Sequence, residues 1–286
     1  MSRERVLLLD GDTLIFTAAQ SSEYEIEWNE WLWTLHADLS QAILRLDQSI
    51  EEIRDGLKGD RVIIALSSPG RDRWRKQIMP TYKSNRKGRK PVVYQALREY
   101  CHEVQETFER PTLEGDDVLG ILATHPHLVK GEKIVVAIDK DMQTFPGLHV
   151  NYNHAREKGG DYEGQIRAIS EEEADRFHLT QALAGDSTDG YPGAPGIGMK
   201  TAAKLLDEGM VLVPVEKEIT RGPRKGQVEV KWVPGEYAER PWDIVVSAYK
   251  SKGLSEEAAL VNARVARICR YTDYDFKKKR VRLWTP

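Results

Sequence analysis

The stretch Val6-Leu-Leu-Leu9-Asp10-Gly-Asp12, near the start of the 286-residue chain, decides how the fold is read. Its unbroken apolar run describes a buried strand that hands a carboxylate to its C-terminal tip. Arg61 to Leu66 reads as a second buried strand, and Lys133 to Ile138 as a third that again ends on an aspartate, Asp139. Strands separated by helical patterns give an α/β class with a mostly parallel sheet flanked by helices. Ligands of such sheets bind beyond the carboxyl ends of the strands, where Asp10 and Asp139 are expected.

Working outward, Trp28 to Leu57 repeats apolar residues at helical spacing and predicts one or two long helices. A polar, basic stretch separates the second strand from a helix starting near Pro91, and a loop or arch is expected there. Ser170-Glu-Glu-Glu173 has capping-box spacing and predicts a helix to about Ala184, broken by Gly185. Beyond it lie a short helix over Met199 to Leu206 and a hairpin over Val211 to Val233, turning at Gly222-Pro-Arg-Lys-Gly226. Two more helices follow, over Pro241 to Lys252 and Ser255 to Arg270. This divides the chain into a core over residues 1–170, with a basic segment at 70–91, and a region over 171–286 packed on it.

Composition narrows the class. Hydrophobic residues at 40% and charged residues at 30% describe a folded globular chain, and no apolar run is long enough to span a bilayer, so no membrane role is expected. Met1-Ser-Arg-Glu-Arg5 leads straight into the first strand without a signal-peptide core, which predicts a cytoplasmic protein. Two cysteines, Cys101 and Cys269, supply neither a disulfide framework nor a zinc quartet. The net charge of -3 does not announce a polyanion partner, but its distribution does: Arg71 to Lys90 holds nine Lys or Arg against one acid, Asp72.

The acids recur in motifs: Asp10 and Asp12, Glu114-Gly-Asp116-Asp117, Asp139-Lys-Asp141, then Asp186 and Asp189. One aspartate at a strand end or helix start is usually only a cap. Four such clusters at predicted strand ends and helix starts exceed what capping explains, because gathered carboxylates repel unless cations neutralise them. All-oxygen donors suit Mg²⁺, with Mn²⁺ as a substitute, and not zinc. Two ions about 4 Å apart could hold the attacking and leaving oxygens of an in-line phosphoryl displacement.

Gly193, Gly196 and Gly198, with Lys200 and Thr201 beyond them, predict a tight turn into a helix whose first amides form a phosphate nest. Such a nest grips a nucleic-acid backbone without reading sequence. The cations of the basic segment, Lys83, Arg86, Lys87, Arg89 and Lys90, interleave with Trp74 and Tyr82, as in surfaces that bind single strands or ends. Lys83 and Arg86 would share one helical face if the segment folds on its ligand, and there neutralise a scissile phosphate.

Taken together, Leu9-Asp10-Gly-Asp12, Tyr82-Lys83-Ser-Asn-Arg86, Leu113-Glu114-Gly-Asp-Asp117, Asp139-Lys-Asp141 and Gly185-Asp186-Ser-Thr-Asp189 resemble, in order, the motifs of the flap endonuclease and 5′-to-3′ exonuclease superfamily. The resemblance is greatest to the short exonucleases of tailed phages. It implies a PIN-like fold with a helical gateway and a helix-three-turn-helix segment, and a 5′-to-3′ exonuclease active in phage DNA replication or recombination. It assigns Asp10, Glu114, Asp116 and Asp117 to one ion and Asp139, Asp141, Asp186 and Asp189 to a second. Lys83 and Arg86 match the gateway cations, and with Asp116 and Asp117 make up the catalytic set. DNA contacts fall on Tyr82, Lys83, Arg86, Lys87, Arg89, Gly193, Gly196, Gly198, Lys200 and Thr201, with K⁺ a further candidate at the helix-three-turn-helix. The implied substrates are double-stranded DNA with 5′ ends, flaps and RNA–DNA hybrids, for a monomer in the host cytoplasm.

One departure stands out. The family's aspartate after the second strand is replaced by Ser67-Ser68-Pro-Gly, with Asp72 as the candidate substitute. Two other readings compete. Asp10-Gly-Asp12-Thr and Gly185-Asp-Ser-Thr-Asp189 also suit a haloacid-dehalogenase-like phosphatase with Asp10 as nucleophile. A non-enzymatic DNA-binding protein would leave the acids structural.

Overall fold

The computed structural model describes residues 4–70 and 72–286; Met1–Arg3 of the N-terminal motif and Arg71, first cation of the basic segment, lie outside the described residues. Strand β1 (Arg5–Asp10) is followed by helix α1 (Gly11–Gln20), a hairpin of β2 (Glu23–Asn29) and β3 (Leu32–Ala37), helix α2 (Leu39–Gly56) and strand β4 (Arg61–Ala65). After the short α3 (Trp74–Ile78) come α4 (Tyr94–Val104), β5 (Thr107–Phe108), α5 (Gly115–Thr124), β6 (Glu132–Val136), β7 (Gly147–Val150), α6 (Tyr152–Glu157) and β8 (Arg167–Ile169). Outside the hairpin these strands form one six-stranded sheet in the order β5-β4-β1-β6-β7-β8, parallel except for β8. The expected mostly parallel α/β sheet is therefore present.

Its unalternating strands are explained by cover on two faces. Leu7 and Leu9 join Ile64, Ile134 and Val136 in a core with Ile15, Leu46, Ile53 and Leu97 from α1, α2 and α4. Val6 and Leu8 point the other way and are equally buried, on the side where α5 packs against β1, β4 and β6. Each such side chain contributes roughly 1.5–3 kcal/mol relative to exposure. Because β1 lies between β4 and β6, the chain leaves it toward one edge and returns on its other side. That is the switch point at which open α/β sheets form a crevice.

One expectation fails in part. Helical periodicity over Trp28 to Leu57 holds only for α2, whose N-terminus is capped by Asp38, while residues 23–37 form the β2–β3 hairpin. Cross-strand pairing decides it: Tyr24 stacks on His36, and Trp28 Nε1 donates to Thr34 Oγ1 at 2.7 Å.

The second part of the chain is helical around one exposed ribbon. It comprises α7 (Glu171–Ala184), α8 (Met199–Glu208), the antiparallel pair β9 (Met210–Glu218) and β10 (Val228–Tyr237), α9 (Pro241–Lys250) and α10 (Glu256–Ala266). Leu183, Ile197, Ala202, Trp242, Val245, Tyr249 and Ala263 form its core. A short pair, β11 (Tyr274–Asp275) with β12 (Arg280–Val281), ends the chain.

By packing, one compact unit comprises Met1–Trp74, Lys87–Glu171 and Ile268–Arg282, and the other Arg75–Arg86, Glu172–Arg267 and Leu283–Pro286. Sequence alone puts all of 70–91 with the core and everything after 171 outside it. Packing instead groups Arg75–Arg86 with the second unit, because the buried Arg75 guanidinium donates to the carbonyls of Val265 and Arg267. Among the described residues no helix is long and apolar enough to cross a membrane.

Candidate active site

In the first unit, β1 delivers Asp10 to the N-cap of α1, where its carboxylate accepts from the Thr13 amide at 3.2 Å and the Thr13 hydroxyl at 2.5 Å. Asp10 is only 4% exposed. Burial, with the charges of Asp12 and Asp139 behind it, raises its pKa to about 6 against the opposing Thr13 hydrogen bonds. Asp139 follows the neighbouring strand β6 and caps a 3₁₀ turn over Lys140–Thr144, accepting from the Asp141 amide at 2.9 Å. Asp139 is exposed and Asp141 half-buried. Two adjacent parallel strands thus bring carboxylates to the same edge of the sheet.

The Glu114 cluster forms the N-terminus of α5. Glu114 is the N-cap and lies buried, Asp116 is half-buried, and Asp117 is fully buried. Asp117 accepts from Trp74 Nε1 at 2.9 Å, the Cys269 amide at 3.1 Å and the Glu114 amide at 3.2 Å. Three N–H donors on one buried carboxylate make it an anchor for the helix end, a geometry that sets it apart from the metal-ligand and catalytic role expected of it.

Asp12, the second carboxylate of the first motif, lies in the first turn of α1. Its carboxylate accepts from the Ser67 amide at 3.0 Å and the Tyr94 hydroxyl at 3.0 Å, with Arg98 Nη1 at 3.4 Å. Ser67 in turn accepts the Gly115 amide on its hydroxyl at 2.9 Å. So Asp12 brings a carboxylate to the backbone of Ser67, where the expected aspartate is missing, whereas Asp72 is exposed. The signal for this was its spacing two residues after Asp10.

In the second unit, Asp186 Oδ1 accepts from the amides of Thr188 at 2.7 Å and Asp189 at 3.3 Å, closing a tight turn. Asp189 accepts from Arg86 Nη2 at 2.6 Å and Tyr82 Oη at 2.9 Å, with Lys83 Nζ at 3.6 Å. The expected helical face is not formed. Lys83 sits at φ +53° in a run of turns, its amide bonded to the Asp189 carbonyl at 2.8 Å. Tyr82 is 2% exposed, so it offers no stacking face to a base. Lys87 and Arg89 are exposed parts of the first unit, with Arg89 gripping Glu23 through two hydrogen bonds of 2.7 and 2.8 Å.

The glycine segment divides in two. Gly193 is buried, its amide donates to Asn262 Oδ1 at 3.0 Å, and a Cβ there would stand 2.4 Å from the Gly185 nitrogen. It is a packing residue rather than a phosphate ligand. Gly196, at φ +76°, and Gly198 face open space, and Gly198 starts α8 without a side-chain cap. The first amides of α8 therefore point outward beside the exposed Lys200 and Thr201.

Among the described residues, no three acidic, histidine or cysteine side chains stand together as a formed metal shell. The donor chemistry is nonetheless that of a hard cation: every candidate ligand is a carboxylate oxygen, and the charge of Asp10 is disfavoured first by burial and then by its acidic neighbours. Cys101 and Cys269 are both buried and form no disulfide.

Residues 5–169 match the family described as 5′-3′ exonuclease, N-terminal resolvase-like domain. The exodeoxyribonuclease of Enterobacteria phage T3 is 34% identical over 98% of this chain and 93% of its own length. The exonuclease of Escherichia phage T7 is 33% identical over the same shares. Among solved structures, a flap endonuclease of bacteriophage T5, in complex with DNA and metal ions, aligns with a TM-score of 0.57 at 15% identity, covering 92% of this chain and 89% of that one. That last likeness concerns the fold.

Proposed function

The chain belongs to the family of 5′-3′ exonucleases that carry an N-terminal resolvase-like domain, and from that premise we propose that it hydrolyses DNA from the 5′ side, releasing 5′-nucleotides, with dependence on a divalent cation. The observation that carries this is the pair of carboxylates Asp10, buried at the tip of β1, and Asp139, in the turn after the neighbouring β6, at the switch point of the sheet. Membership in this family replaces the phosphatase reading of Asp10-Gly-Asp12-Thr.

When bound, Mg²⁺ or Mn²⁺ activates water at neutral pH and stabilises charge on the departing oxygen. Around such ions Asp10, Glu114 and Asp116 serve one position and Asp139 and Asp141 begin a second; the resemblance gives a metal role to Asp186 and Asp189 as well. Asp117 holds the α5 terminus rigid through Trp74 and Cys269. Asp12 fixes the adjoining Ser67 backbone and through it Gly115. Lys83 and Arg86, held by Asp189, neutralise the phosphate under attack. The open amides at the start of α8, with Lys200 and Thr201, hold the backbone without reading bases, with K⁺ a candidate there. Flaps and RNA–DNA hybrids are further substrates, taken by a monomer in the host cytoplasm.

Asp116→Asn tests the assignment, since the change preserves size while removing the charge. Cleavage should fall by at least about a hundredfold while DNA affinity measured in EDTA stays within a factor of two to three, roughly. Parallel loss of both would show that Asp116 supports the fold and not the chemistry.

A further inference from the structure

The ribbon β9–β10 is a long hairpin to which the site gives no task. Its root is tied to the second unit, where Leu212 joins the core and its amide donates to Ser247 Oγ at 2.9 Å. The outer half stands free: residues 214–218 and 220–228 are all exposed. A two-stranded ribbon has little stability of its own in water, and this half adds nothing to the core of its unit.

Charge on that half is sorted by position. Between Glu218 and Glu229 there is no acid, and the turn carries Arg221, Arg224 and Lys225. The turn is preformed, with Gly222 at φ +80° and Gly226 at φ +87°, and it closes through the Gly226 amide on the Ile219 carbonyl at 2.9 Å. On one face Lys217 opposes Glu229, and Lys231 follows on the same side. Lys231 pairs with Glu229 at 2.8 Å and, with Arg224 and Lys217 nearby, holds that carboxylate below its ordinary range. The opposite face keeps Glu216, Glu218, Val228 and Val230. Charges that only block edge-to-edge pairing need no common sign. A tip that is basic throughout, on a ribbon whose width suits a duplex groove, is complementary to a nucleic-acid backbone.

We propose that the outer half of the β9–β10 ribbon is a second, sequence-independent contact for duplex DNA, made by Arg221, Arg224 and Lys225 at the tip and Lys217 and Lys231 on one face. This rests on DNA being the substrate. The ribbon leaves directly from α8: Gly209 ends the helix and accepts the Ala238 amide at 2.8 Å. Ten residues of helix put the ribbon's root about 15 Å from the open amides at the start of α8. A nine-residue strand carries the tip roughly 30 Å further. Backbone held at the helix start and backbone met by the tip are then separate footprints on one duplex.

The test is salt-dependent binding. Full-length protein and the triple variant Arg221→Ala/Arg224→Ala/Lys225→Ala are titrated onto a fluorescent duplex in EDTA at several KCl concentrations, with circular dichroism and thermal melting as controls of folding. Three lost phosphate contacts should make the slope of log affinity against log salt shallower by up to about 3, and cut the affinity change between about 50 and 200 mM by roughly 40-fold. An unchanged slope in a variant that melts like wild type overturns the proposal and leaves the basic tip to some other partner. Failure of the nuclease reading is a separate result, seen as wild-type protein that does not cleave the duplex with Mg²⁺.

Discussion

Asp10 shows how a single residue ties stability to function. Burial and the neighbouring Asp12 and Asp139 raise its pKa to about 6, above the ordinary 3.8. Between those values the folded protein binds the proton more tightly than the unfolded chain, so this stabilisation is present at low pH and is lost as pH rises through about 6. At neutral pH without metal, the ionised carboxylate therefore costs on the order of 3 kcal/mol. Asp10→Asn keeps an acceptor for the Thr13 amide and removes the charge. It should raise the melting temperature in EDTA at pH 7.5 and abolish any further rise on adding Mg²⁺; a lower melting temperature in EDTA would show that the carboxylate is a structural cap. Asp10 and Asp139 were legible in sequence because each ends an apolar run. The partners of Asp12 and Asp117 were not, since Tyr94, Arg98, Trp74 and Cys269 reach them from distant parts of the chain.

At the scale of elements, the segment from Gly185 to Gly198 contains two kinds of glycine that one motif cannot tell apart. At Gly193, with φ +64°, a methyl group would meet the backbone of Gly185 and Ala184 at 2.4 and 2.5 Å, so Gly193→Ala should cost at least about 3 kcal/mol in urea unfolding. Gly196 faces open space, so Gly196→Ala should cost only the left-handed strain of about 1–2 kcal/mol while weakening DNA binding. Equal costs at the two positions would contradict this division. Helices α7 to α10 and the β9–β10 hairpin were readable from caps, periodicity and turn residues. The β2–β3 hairpin was not, because Trp28, Leu32 and Leu35 also fit a helical repeat and only pairing across the turn settles the choice.

At the scale of the whole molecule, the net charge of -3 says little, while its placement says much. Cations gather between residues 73 and 90 and at the ribbon tip, and carboxylates at the crevice of the sheet. The parallel α/β class followed from three apolar runs, but the strand order, with β1 between β4 and β6, depends on crossovers that local patterns do not encode. For the same reason Arg75–Arg86 reads as part of the core and yet packs with the second unit, through bonds to residues about 190 positions away. Metal-dependent removal of the 5′ end is the activity on which these residue roles converge. Duplex DNA labelled at its 5′ terminus, incubated with the full chain, should yield labelled mononucleotides and short fragments with Mg²⁺ and none with EDTA; an intact labelled strand under both conditions would contradict it.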